Sequence, residues 1–268
     1  MIRLDDCFAA LHRRGRKALI PFIVAGDGGL ALTQELIPAL QDAGADIIEV
    51  GIPFSDPLAD GPVIQEASHR ALEAGTTPHK IIEALERVKD RLRVPLVFLT
   101  YWNPVIQFGA KNPPEPQSFL KACSQAGVGG VIVPDLSVEE GAAFARDARK
   151  SGIDAVFLAA PTSTPKRLQA IAKLSRGFIY YVSLTGTTGA RAQLPPELEN
   201  GIRHLKRITK TPVCVGFGIS SPEQVRRVAQ AADGVIVGSA LVRTIAQAPA
   251  SEKVKAAADF VRSLSQAL

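Results

Sequence analysis

Several residue patterns that mark common classes of protein are missing from this chain. Three cysteines among 268 residues, Cys7, Cys123 and Cys214, stand far apart without metal-ligand spacing and cannot all pair. A disulfide framework is excluded, and the three read as small buried hydrophobes of a chain kept in a reducing compartment, the cytoplasm. No apolar run approaches the ~20 residues of a membrane span. The start, MIRLDDCFAALHRRGRK, puts acids ahead of its apolar residues, unlike a secretory signal. Aromatic residues are absent from the basic cluster HRRGRK at residues 12–17. A nucleic-acid surface would interleave stacking rings there, so the cluster reads as the C-terminal end of a first helix, favoured by the macrodipole. The dinucleotide fingerprint is missing too, since Gly26-Asp27-Gly28-Gly29 fails the G-x-G-x-x-G spacing. No linker or low-complexity tract divides the chain, which is read as one domain, residues 1–268.

What is present is an ordinary globular composition, 46% apolar and 21% charged, with a net charge of +5 spread over many segments. Eight short apolar runs alternate with helical patterns. The predicted strands fall at residues 18–27, 46–52, 95–100, 130–134, 155–159, 178–183, 213–216 and 234–237. Between them, Leu36, Ile37 and Leu40 recur at helical spacing before Gly44, and Ile81, Ile82, Leu85 and Val88 do so behind Pro78. A helix over 137–152 would open on Glu139 and Glu140 and close on Arg149 and Lys150; the last helix is predicted over 254–264. Continuous apolar strands suit a parallel sheet covered by helices. Eight β/α units in a chain of this length predict an α/β fold, a single (β/α)8 TIM barrel with an additional N-terminal helix and extra helices in loops. An open doubly wound sheet is the competing architecture.

The stretch ADIIEVGIPFSDPLADGP at residues 45–62 holds the chain's main anomaly, a glutamate inside an apolar strand. An unpaired buried carboxylate costs several kcal/mol, so Glu49 needs a partner or a task. Period-two alternation puts Ile47, Glu49 and Gly51 on one face and Ile48, Val50 and Ile52 on the other. The branched set suits the outer helices, which turns Glu49 into the barrel mouth, where such barrels hold their active sites. A structural Glu held by Lys or Arg would have the same pattern. Asp60 follows on a loop long enough to fold back, and two carboxyls in different surroundings can hold different pKa values. Asp60 could equally be a turn acid capping the next helix.

A second constellation lies across the ring. The seventh strand ends in Gly216-Phe217-Gly218 and the eighth in Gly238-Ser239, positions where barrels most often bind phosphate through backbone N–H groups and helix N-termini. Thr187-Thr188-Gly189 follows the sixth strand in a Gly/Thr-rich loop, residues 184–194, that could close as a lid or simply turn.

With these residues in view, EVGIPFSDPLADGP at 49–62, Asp135-Leu136, TGTTGAR at 185–191, GFGISSPEQV at 216–225 and GSA at 238–240 resemble the tryptophan synthase alpha subunit family over essentially the whole chain. The resemblance implies a β/α barrel that cleaves indole-3-glycerol phosphate to indole and glyceraldehyde 3-phosphate. It would act without metal or organic cofactor, in complex with a pyridoxal-phosphate-dependent beta subunit. It makes Glu49 the acid/base, Asp60 the acceptor of the indole N–H proton and Tyr180 the tyrosine beside Glu49. Phe22, Leu99 and Ile132 match apolar positions around the indole, and Thr188, Gly189, Gly218, Gly238 and Ser239 match lid and phosphate positions. Pro53, Asp56 and Pro57 in the loop after the second strand, and Asn103 after the third, match partner-facing positions; Asp56 could instead be a loop acid with local hydrogen bonds.

The chain departs from the family pattern at Gly28 and Ser137, where proline is usual, and in a Pro-rich insertion at 109–117. A free-standing lyase releasing indole would use the same catalytic residues. A sugar-phosphate isomerase or epimerase barrel would share the phosphate site but tends to use a His/Asp metal cluster. Here His12, His69, His79 and His204 all fall on predicted helices or helix starts. A regulatory partner without activity would be marked by loss of Glu49 or Asp60, and both are present.

Overall fold

The computed structural model describes residues 1–109, 112–182, 196–216 and 218–268, without the side chains of Pro196 and Glu197. Helix α1 (Leu4–Arg13) precedes β1 (Ala18–Val24), α2 (Leu30–Asp42) and β2 (Ile48–Gly51). Then come α3 (Pro62–Glu73), α4 (Pro78–Glu86), β3 (Leu96–Leu99), α5 (Trp102–Gln107), α6 (Gln117–Gln125), β4 (Val128–Ile132) and α7 (Ala142–Lys150). The second half holds β5 (Asp154–Val156), β6 (Leu158–Ala159), α8 (Pro165–Leu174), β7 (Ile179–Val182), α9 (Pro196–Ile208) and β8 (Val213–Gly216). It ends with α10 (Pro222–Ala231), β9 (Gly234–Val237), α11 (Ser239–Gln247) and α12 (Lys253–Ser265).

The strands are all parallel, in the order β5-β4-β3-β2-β1-β9-β8-β7-β6. The two ends of that order, β5 and β6, are one run of chain broken at Phe157, so the sheet curls into a barrel. The predicted fifth strand is therefore two. Its break has a local cause: the Phe157 N–H donates to Ser175 Oγ at 3.3 Å instead of to a neighbouring strand, while its carbonyl still accepts from the Tyr180 N–H at 3.1 Å.

Alternation along the strands sorts two cores. Leu19, Ile23, Ile48, Val50, Phe98, Val131, Val215 and Val235 pack outward against the helices. Ile20, Ile47, Val97, Ile132, Val156, Phe178, Cys214 and Ile236 fill the interior, and Leu4, Phe8 and Leu11 of α1 close the N-terminal end over them. Each such buried side chain contributes ~1.5–3 kcal/mol of transfer free energy. All three cysteines are free, Cys123 and Cys214 buried and Cys7 partly so.

Three helices differ from expectation. The segment predicted to begin a helix at Ser137 is a turn, in which the Glu140 and Gly141 N–H groups both donate to the Ser137 carbonyl; α7 starts only at Ala142. Helices α5 and α11 were not anticipated. Among the described residues no helix is long and apolar enough to cross a membrane.

Candidate active site

Glu49 sits in the middle of β2, level with Phe22 on β1 and Val97 on β3, and is 1% exposed. Its flanks behave as alternation demands, with Ile47 in the barrel interior and Ile48, Val50 and Ile52 in the outer layer. Phe22 leans across Gly51, whose absent side chain makes the room. A Cβ there would stand 2.6 Å from the ring. Neither Oε of Glu49 has a hydrogen-bond partner among the described residues, so no Lys or Arg among them holds it as a structural glutamate. Burial pushes its carboxyl up to about 8, and the charge of Asp60 adds to the rise. A carboxyl raised in this way favours its protonated form at neutral pH.

Asp60 stands at the end of the loop that leaves β2. It does not cap α3: Gly61 is the N-cap, without a side-chain hydrogen bond. The carboxylate instead accepts from the Tyr101 hydroxyl at 3.0 Å through Oδ2. Burial raises Asp60 to about 6, against the lowering effect of that hydrogen bond, which leaves it ionised at neutral pH. The site thus holds one carboxyl poised to give a proton and one poised to take one.

Tyr180, in the middle of β7, points inward over Gly216, and its hydroxyl would lie 2.7 Å from a Cβ at that glycine. Burial raises its phenol first, and the charges of Glu49 and then Asp60 raise it further, so the three groups share one end of the barrel. Apolar walls come from Phe22 and Leu99, which pack with Val24 and Ile64, and from Ile132, which joins Leu99 and Tyr180 in the interior cluster.

Two strands round from β2 and not across the ring as expected, Gly238 follows β9 as the N-cap of α11 and Ser239 is that helix's first residue, so its free N–H groups open at the C-terminal end of the strands. Gly218, at φ 53°, is exposed after β8. Thr188, Gly189 and the loop over 184–194 lie outside the described residues. Of the positions expected to face a partner, Asp56 and Asn103 are exposed, Pro57 is half-buried and Pro53 is buried. Asp56 accepts a hydrogen bond from the Ser55 hydroxyl at 2.6 Å. Leu58, directly after Pro57, is 91% exposed. Tyr101 escaped the sequence reading, although an aromatic directly after an apolar strand, followed by Trp102, was there to be noticed.

A sequence profile described as tryptophan synthase alpha chain matches residues 8–267. The chain belongs to the tryptophan synthase alpha chain family. The alpha chain of Geobacter sulfurreducens is 46% identical over 268 residues, covering 100% of this chain and 99% of that one. The alpha chain of Gloeobacter violaceus is 46% identical over 266 residues, 99% of this chain and 94% of its own length. Among solved structures, subunit alpha from Legionella pneumophila superposes with a TM-score of 0.90 at 36% identity, covering 100% and 98% of the two chains. An alpha2beta2 complex from Pyrococcus furiosus, described in terms of mutual activation, matches with a TM-score of 0.85 at 39% identity over 92% of this chain and 97% of the matched chain.

The alpha chain family is one of carbon–carbon lyases of tryptophan biosynthesis that cleave indole-3-glycerol phosphate. Membership sets aside the sugar-phosphate isomerase and epimerase reading. The histidines lie on α1, α3, α4 and α9, none on a strand. One departure from the alpha chain pattern has a backbone consequence. Gly28 takes φ 81°, a conformation closed to the proline usual at that position.

Proposed function

We propose that this chain cleaves indole-3-glycerol phosphate to indole and glyceraldehyde 3-phosphate with Glu49 and Asp60 as its acid–base pair. The observation that carries the assignment is a buried glutamate without a hydrogen-bond partner among the described residues, beside an aspartate at the barrel mouth. Glu49 starts protonated and gives its proton to C3 of the indole, while Asp60 takes the N–H proton; the product is the indolenine tautomer. Glu49, now a carboxylate, then removes the proton of the glycerol hydroxyl next to the ring. The O–H electron pair becomes the second bond of the aldehyde C=O, the C–C bond breaks, its electron pair restores the C2–C3 double bond, and the C2=N pair returns to the ring nitrogen, which recovers its proton from Asp60. Both carboxyls return to their starting states, which match the protonation expected of groups near 8 and 6 at neutral pH.

Tyr180 lies beside the reacting centre, Phe22, Leu99 and Ile132 flank the indole, and Gly218, Gly238 and Ser239, with Thr188 and Gly189, receive the phosphate. The chain works as a single domain in the cytoplasm and pairs with a beta subunit through the loop carrying Asp56 and Pro57 and through Asn103. Indole release from indole-3-glycerol phosphate by wild type and Glu49→Gln tests the assignment. Loss of the acid/base should cost at least ~100-fold in kcat, and near-normal turnover by the variant would end it.

A further inference from the structure

Resting on that role for Asp60, we propose that Tyr101 is its positioning residue, a phenol that fastens the carboxylate and its loop to the end of β3. Tyr101 lies two residues past β3, at the N-cap of α5, and is 2% exposed. Its hydroxyl is used in both directions: it accepts the Ala59 N–H at 3.0 Å and donates to Asp60 Oδ2 at 3.0 Å. Because the Ala59 N–H occupies the acceptor side, the phenol proton is committed to the carboxylate. The ring stacks on Phe54 at the other end of the same loop, with centroids 5.2 Å apart and planes 28° apart. The next residue is fixed as well, since the Trp102 N–H donates to both carboxylate oxygens of Asp135, at 2.9 and 3.1 Å.

The loop of residues 54–60 therefore takes its position from a neighbouring strand end, and a single side chain sets both where Asp60 sits and which form it takes. The groups that feel Asp60 come from three sides: Glu49 on β2, Tyr180 on β7 and Tyr101 after β3, with Asp135 acting in turn on Tyr101. Against burial, the Tyr101 hydrogen bond is what favours ionised Asp60.

The test is kcat/KM for indole-3-glycerol phosphate against pH in wild type, Tyr101→Phe and Asp60→Asn. Tyr101→Phe keeps the ring on Phe54 and removes only the hydroxyl. The acid limb of the profile should move up by about one pH unit, an approximately tenfold loss below the limb that shrinks toward higher pH. A 3,5-difluorotyrosine at position 101, a more acidic donor, should move the limb the other way. An unmoved limb, or a loss equal at every pH as a purely structural residue would produce, overturns the inference while Asp60→Asn still abolishes turnover. Full turnover by Asp60→Asn overturns the role of Asp60 and this inference with it.

Discussion

Asp46 and Glu49 are three residues apart, Asp46 two residues before β2 and Glu49 within it, and their surroundings differ. Asp46, at the N-terminal end of the barrel, accepts the Leu19 N–H at 2.9 Å and has the Arg16 guanidinium at 3.8 Å. Asp233 at the same end accepts the Val213 N–H at 3.1 Å and the Lys206 ammonium at 2.7 Å, with Lys17 at 3.5 Å. These carboxylates complete the sheet where a strand begins, taking N–H groups that no neighbouring strand can reach. At the other end, among the described residues, Glu49 has no hydrogen-bond partner and Asp60 has a single side-chain donor. A buried polar group without a partner costs ~1–3 kcal/mol, more when charged. The same chemical group thus takes strand N–H groups and nearby cations at one end of the barrel and has fewer partners among the described residues at the other, while burial raises Asp46 as it does Glu49 and Asp60. Stability and chemistry are divided between the two ends, as expected of a barrel whose reactions occur at its C-terminal face.

The largest effect that would break this comparison concerns stability at the catalytic end. Glu49 keeps its proton in the folded state up to about pH 8, whereas in the unfolded chain it loses it near its ordinary value of 4.5. The folded state is therefore penalised progressively as pH rises between those values, by about 1.4 kcal/mol per pH unit. Glu49→Gln removes the penalty, so the variant should gain on the order of 3 kcal/mol over wild type at pH 7 relative to pH 4, measured by denaturant unfolding at both pH values. A gain independent of pH would show that Glu49 is not held protonated.

A smaller effect belongs to the other end. Asp233→Ala leaves the buried Val213 N–H without its acceptor and should cost ~2 kcal/mol of unfolding free energy, while kcat for indole release stays within about twofold of wild type. A large loss of kcat without loss of stability would contradict the division between the ends.

Much of this division was legible in the sequence. Glycine- and proline-punctuated apolar runs marked every strand, and alternation alone placed Glu49 opposite Ile48 and Val50. What stayed hidden depended on hydrogen bonds that neither alternation nor end-charge patterns reveal. The break at Phe157 comes from Ser175, eighteen positions away, and the turn before α7 from hydrogen bonding within residues 137–141, where Glu139 and Glu140 imitate a helix start. Tyr101 acquires its meaning only when Asp60, 41 positions earlier, folds back onto it. Helix α11 did carry a signal in Leu241, Val242 and Ile245, all buried, although its first residues double as the proposed phosphate site and read as a loop.

The central claim is that Glu49 holds a proton at neutral pH. Infrared difference spectra of wild type minus Glu49→Gln across pH 5 to 10 test it directly, because a protonated carboxyl has a carbonyl stretch distinct from that of a carboxylate. The account predicts a protonated carboxyl band present at pH 7 that disappears with a midpoint about pH 8. A band already gone by pH 6 would contradict it.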